Sequence, residues 1–230
     1  MKYRKLASGF VAAAMAVGVF ATPFGEALPV IRESVAVNAG AEVYGDFEYS
    51  GSGDTAEITK YKGSASTLVI PSEIDGKTVT GIGRMAFASC TTLTDVTIPD
   101  SVTSIGDCAF SVCDAIVNVK IPDTVTYLGE YAFRSCSSLK SVHIPKGIKT
   151  IEMRAFLSCS SLESLTIPEN ITSIGLGAFS LCKKLTDVTI PGNVKTVGEG
   201  AFSNCTELLN VTISDGVTRI GKSAFACWYV

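Results

Sequence analysis

One spacing governs this chain. Ala-Phe pairs begin at Ala86, Ala109, Ala132, Ala155, Ala178, Ala201 and Ala224, each 23 residues after the last. Cys90, Cys113, Cys136, Cys159, Cys182 and Cys205 keep the same interval, as do the Ile-Pro pairs that start at Ile98, Ile121, Ile144, Ile167 and Ile190. The unit reads A-F-x-x-C-x-x-L-x-x-V-x-I-P-x-x-V-x-x-I-G-x-x, with Ile, Leu and Val exchanging at the branched positions. A period in this range marks a repeat architecture, and it constrains the fold before any single residue does.

Within the unit two local patterns alternate. Ala109, Phe110, Cys113 and Ile116 stand at the spacing of one apolar helical stripe, which predicts a short helical turn. Val119 and Ile121 alternate with Asn118 and Lys120, as in a half-buried strand. Pro122 ends that strand, because proline cannot donate to an inter-strand ladder. Gly106, Gly129, Gly175, Gly198 and Gly221 mark a bend before the next helical turn. Glu152 interrupts their column, so the bend does not require positive φ in every copy.

A unit this small cannot bury its own apolar positions, so the units must stack, each strand pairing in parallel with its copy one repeat away. Seven strands at ~4.8 Å spacing give a sheet on the order of 30 Å long. The expected fold is an α/β repeat solenoid. Segments such as CTTLTDVTIPDSVTSIGDCAF and CSSLESLTIPENITSIGLGAF resemble the BspA-type leucine-rich repeats of bacterial surface and secreted proteins. The resemblance implies a right-handed leucine-rich-repeat solenoid with a parallel β-sheet on one face and short helical turns on the other. It also implies an N-terminal β-hairpin cap, and YGDFEYSGSGDTAEITKYKGSASTLVIPSEIDGKTVTGIG is similar to the family's cap and longer first repeat. Read from the residues, positions 51–54 form a turn between strand-like segments at 47–49 and 57–59. The first unit carries five extra residues between Pro71 and Val79, where Asp75-Gly76 supplies tight-turn chemistry.

The N-terminal 41 residues read differently. Lys2, Arg4 and Lys5 precede an apolar run over 10–21, too short to cross a bilayer and arranged as a secretory signal peptide. Ala39-Gly40-Ala41 predicts cleavage after Ala41, with Ala21 as the alternative site. The expected organisation is a signal peptide over 1–41, a hairpin cap over 42–63 and a solenoid of about seven units over 64–230. The exported part is expected to lack an integral membrane segment.

Charge narrows the partners. The chain has 19 basic and 22 acidic residues, and without residues 1–41 it keeps 15 and 20, so no basic footprint points to nucleic acid. One His excludes a His-rich metal site and leaves a single candidate base. No cofactor motif is present, and the chain is expected not to be an enzyme.

Eight cysteines in an exported chain ordinarily imply disulfides. Here six share one core column. Their parallel side chains predict buried free thiols, which meet neither disulfide geometry nor zinc geometry. Cys108 lies off that column, at the position that Tyr131, Arg154 and Ser223 take in other repeats, and is expected at the surface as the most reactive thiol. His143 falls in an outward Thr column, on the far side of a strand from Cys136 and Cys159, so a nucleophile–base pair is not expected. Asn170, Asn204 and Asn210 begin glycosylation-type triplets that the Thr-rich repeat produces by coincidence.

What remains for function is surface. Alternation turns Asp95 and Thr97, Asn118 and Lys120, Ser141 and His143, Ser164 and Thr166, Asp187 and Thr189, and Asn210 and Thr212 outward from the strands. These columns form the expected ligand-binding face of a secreted or cell-surface adhesion module whose partner is an extracellular protein or glycan, with Lys120 and His143 as the focal contact. The alternative is a structural spacer within a larger surface protein. The chain reaches Val230 just after the seventh Ala-Phe, which predicts either that residues 227–230 fold over the last rung or that its apolar end self-associates.

Overall fold

The computed structural model describes residues 41–227. Three strands lead in: β1 (Glu42–Tyr44), β2 (Phe47–Ser52) and β3 (Thr55–Tyr61), paired antiparallel in sequence order. The first repeat supplies β4 (Thr67–Val69), β5 (Glu73–Ile74) and β6 (Lys77–Ile82). Asp75 and Gly76, with φ of 50° and 74°, turn β5 back onto β6 as an antiparallel hairpin. The five extra residues are this hairpin, and they make the register step from Thr67 to Asp95 one of 28 instead of 23.

Each later repeat contributes two short strands. These are β7 (Asp95–Thr97) and β8 (Ser104–Ile105), β9 (Asn118–Lys120) and β10 (Tyr127–Leu128), and β11 (Ser141–Val142) and β12 (Thr150–Ile151). They continue as β13 (Ser164–Leu165) and β14 (Ser173–Ile174), β15 (Asp187–Ile190) and β16 (Thr196–Val197), and β17 (Asn210–Ile213) and β18 (Arg219–Ile220). Like pairs with like, in parallel and 23 residues apart, as in Asp187 with Asn210 and Ser173 with Thr196. The result is a β-solenoid of about seven turns.

Two expectations need correction. The repeat has a second ladder: β3, β6, β8 and β10 pair in series, then β12, β14, β16 and β18, a stretch in which the sequence predicts only a glycine-marked bend before the next helical turn. The short helical turns are absent, since no helix occurs among the described residues. Met85, Cys108, Tyr131, Arg154, Gly177, Gly200 and Ser223 all have φ between 53° and 59°, and a second left-handed residue follows four positions later in most rungs. Two left-handed residues per turn cannot propagate an α-helix. The amides between them divide their bonds. Ala109 and Ser111 donate three residues back, to Gly106 and Cys108, while Cys108, Phe110 and Val112 donate to Glu130, Ala132 and Arg134 of the next rung. The apolar stripe is real, but it packs a stack of turns.

The glycine column is explained by proximity. None of Gly106, Gly129, Gly175, Gly198 and Gly221 has positive φ. A Cβ on Gly198 would stand 2.5 Å from the Gly175 carbonyl carbon, and one on Gly106 2.8 Å from the Arg84 nitrogen. At these glycines the backbone of the preceding rung stands where a Cβ would go.

The core is a set of columns. From Phe87 to Phe225, one Phe ring per rung stacks on the next at 4.8–5.6 Å between centroids, nearly parallel. Tyr61 of β3 begins the stack against Phe87 at 5.3 Å. Beside it run the thiols. Cys113, Cys136, Cys159, Cys182 and Cys205 are fully buried and unbridged, whereas Cys90, at the start of the column, is half-buried. Each buried thiol donates to the carbonyl of the Phe 26 residues earlier, from 3.0 Å for Cys113 on Phe87 to 3.4 Å for Cys182 on Phe156. A small side chain with a weak donor thus fills the column and meets a buried carbonyl.

Candidate functional site: the outward strand face

The strands carry their side chains as alternation requires. Val96, Val119, Val142, Leu165 and Val188 point inward and are buried. Of the outward residues, Thr97, Asn118, Lys120, Ser141, His143, Ser164, Thr166, Asp187, Thr189, Asn210 and Thr212 are exposed, and Asp95 is half-buried. The structure therefore brings all of these side chains to one polar face.

Hydrogen bonds tie neighbouring rungs on this face. Asn118 Nδ2 donates to Asp95 Oδ1 at 2.9 Å, and Asn210 Nδ2 to Asp187 Oδ1 at 2.6 Å. Asn118 and then Thr94 hold the Asp95 carboxyl below the usual carboxylate range, and Thr186 and then Asn210 do the same for Asp187.

His143 is not the isolated side chain its column implied. Its Nε2 lies 2.7 Å from Asp123 Oδ1, which also accepts from the Lys146 amide at 3.0 Å. The Asp123 carboxyl is held low, first by that amide and then by His143. Lys146 Nζ stands 3.7 Å from the other Asp123 oxygen. Asp123, Lys146 and Glu169 share the position after the strand-ending proline, one repeat apart, a column the alternation argument passed over. Cys136 and Cys159 are buried while His143 is exposed, so no nucleophile–base pair forms.

Between β13 and β15 the face carries a depression of about 290 Å³ lined by Leu165, Thr166, Ile167, Glu169, Asp187 and Val188, among others. β13 pairs with β11 and β15 with β17, and no ladder joins β13 to β15. Nothing in the sequence period announces this interruption.

Other candidate groups resolve into structure. Cys108 is half-buried, and burial raises its thiol pKa, which corrects the expectation of a surface thiol prone to react. Asn170 Nδ2 donates to the Ile148 carbonyl at 2.6 Å, and Asn204 is buried. Among the described residues no group of three or more His, Cys, Asp or Glu could hold a metal ion, and no helix is long and apolar enough to cross a membrane. The signal-peptide assignment falls on residues outside those described, as does the fate of Trp228, Tyr229 and Val230.

Parallel strands at a 23-residue period, inward branched residues and a turn-built opposite side define a leucine-rich-repeat solenoid. The profile of the BspA type leucine rich repeat region matches residues 60–183 and 149–229, in six copies. The chain belongs to that family. It is similar to a solved leucine-rich repeat protein of T. pallidum at 32% identity and a TM-score of 0.74, covering 79% of this chain and 86% of the other. A leucine-rich cell surface protein of Faecalibacterium prausnitzii is 33% identical, with a TM-score of 0.54 over 81% of this chain and 46% of that one. A leucine-rich repeat protein of Eubacterium ventriosum is 26% identical, with a TM-score of 0.60 over 77% and 49%. The chain thus spans about half the length of these last two. A comparison with curated proteins finds no match.

Proposed function

We propose that the protein is a secreted or cell-surface interaction module that binds an extracellular protein or glycan through its strand face, without catalysing a reaction. The observation that carries this reading is the division of labour within the rung. Phe, Cys and branched residues are consumed by packing and Pro and Gly by close turns, while the outward columns present continuous polar groups. In this reading residues 1–41 direct export, 42–63 cover the first rung as a hairpin cap, and 64–230 form the solenoid. The leucine-rich cell surface protein similar to this chain supports the location.

A second reading, a spacer within a longer surface protein, is favoured by the half-length coverage of two of the relatives. A binding screen of the purified protein against extracellular matrix proteins and glycans separates the two. Binding that falls when Lys120 and His143 are replaced by Glu, and survives the same change at Lys149 and Arg154, supports the first reading. Loss through Lys149 and Arg154 alone would move the binding surface to another side, and absence of any ligand leaves the spacer.

A further inference from the structure

We propose that the occupant of the strand face is an extended protein segment bearing a carboxylate side chain and, about four residues along, a Lys or Arg. This rests on the reading of that face as the binding surface and names its ligand chemistry.

Along the face two mostly basic rungs, in which Asp123 is acidic, meet two mostly acidic ones, in which Lys183 and Lys184 precede β15. Lys120, Lys140, His143 and Lys146 occupy the rungs of β9 and β11, and Glu163, Glu169 and Asp187 those of β13 and β15. Neither group is neutralised from within. Asp123 engages His143 and Lys146, but the ammonium groups of Lys120 and Lys140 have no ion-pair partner among the described residues. On the acidic side Glu169 and Asp187 receive only neutral donors, Asn193 Nδ2 at 3.2 Å for the first, and Thr186 and Asn210 Nδ2, the latter at 2.6 Å, for the second.

The acidic rungs also hold the depression. The small exposed edges of Leu165 and Ile167 give it some apolar surface, and Glu169 and Asp187 line it. That combination suits a side chain with an aliphatic stem and a cationic head, the stem on that apolar surface and the charge at the carboxylates. A neutral glycan brings hydroxyls for Thr166 but no cation. A sulfated glycan would meet Lys120 and Lys140 but be repelled by the next two rungs.

Length completes the match. Lys120 on β9 and Asp187 on β15 are three rungs apart and two positions apart along the strands, a separation on the order of 16 Å that flexible side chains bridge. An extended segment rises about 3.3 Å per residue and returns its side chains to one side every second residue. Positions i and i+4 therefore reach both charges from one face of the ligand.

The probe is a set of twelve-residue peptides of Ser, Thr and Val carrying one Glu and one Lys separated by two to eight positions. They are titrated by fluorescence anisotropy against the purified protein, with a sulfated oligosaccharide in parallel. Affinity should peak near a separation of four. Asp187→Asn combined with Glu169→Gln should lower it by at least about tenfold, and Lys120→Glu should do the same unless the peptide's Glu is replaced by Lys. All these side chains are exposed, and unchanged circular dichroism separates lost binding from lost fold. Affinity independent of spacing, indifference to the double variant, or no peptide binding at all overturns the inference. Sulfated oligosaccharide binding that depends on Lys120 and Lys140 would overturn it while sparing the strand-face reading. Binding abolished only by Lys149→Glu and Arg154→Glu would sink the strand-face reading itself.

Discussion

Asn210 donates through Nδ2 to Asp187 Oδ1 at 2.6 Å, and the same contact recurs at 2.9 Å between Asn118 and Asp95, the corresponding positions four repeats earlier. The folded-state pKa of Asp187 is depressed, first by Thr186 and then by Asn210. The stabilisation it brings is therefore present above the unfolded carboxyl value and is lost as pH falls through the folded one. Asn210→Ala should raise the Asp187 pKa toward 3.8 and leave that of Asp95 unchanged. Carboxyl carbon shifts followed by NMR through an acid titration measure both. An unmoved Asp187 would show that Asn210 does not hold it.

The buried thiols should be inert in the native state. Burial pushes Cys136 and Cys205 up to about 12 and Cys159 and Cys182 well above the ordinary thiol value. Iodoacetamide at pH 8 should modify those four only as fast as the protein opens, and denaturant without reductant should release all eight cysteines for labelling. Mass spectrometry counts the adducts. Rapid native labelling of Cys159 would contradict the packing described, and bridged column members would contradict the unbridged thiols.

Close approach at the glycine column predicts intolerance of even one methyl group. Gly198→Ala places a Cβ 2.5 Å from the Gly175 carbonyl carbon, with backbone as the obstacle, and overpacking of this kind costs roughly 1–3 kcal/mol. Gly53→Ala is the contrast, because a Cβ there meets nothing within 4 Å and only its left-handed φ of 57° is strained. Urea unfolding midpoints should rank Gly198→Ala below Gly53→Ala.

Among the described residues the last rung carries its core positions toward solvent. Ile213 is 42% exposed and Ile220 48%, whereas Ile190 and Val197, one rung earlier, are fully buried. The purified protein should associate as its concentration rises, and Ile213→Lys with Ile220→Lys should abolish this. Sedimentation velocity reads the outcome. A monomer at every concentration would mean that Ile213 and Ile220 do not mediate association.

Much of the solenoid was legible because its constraints repeat. Each rung states again that Phe, Cys and Leu are inward and that Pro ends a strand, so Val119 and Lys120 could be placed on opposite faces from sequence. The turn side was not legible, because an apolar spacing of one, four and seven residues is shared by a helical turn and by a turn whose amides bond to the next rung. Only the left-handed φ at Cys108, Tyr131 and Arg154 separates them, and none of those residue types requires it. The second ladder hid for a related reason. Ser104 and Ile105 are too few to show alternation. At the candidate site the outward columns were readable, but Asp123 and the depression depend on side-chain reach and on a break between β13 and β15, neither of which has a period.

The unbroken 23-residue step has a genetic consequence. Excising any whole period, for example 144–166, would rejoin residues that already occupy equivalent places, creating no new junction and changing no rung but the one removed. It would also bring Lys120 one rung nearer to Asp187. The gene can thus reset the distance between its two charged bands by unequal recombination, and with it the span of the ligand proposed for that face.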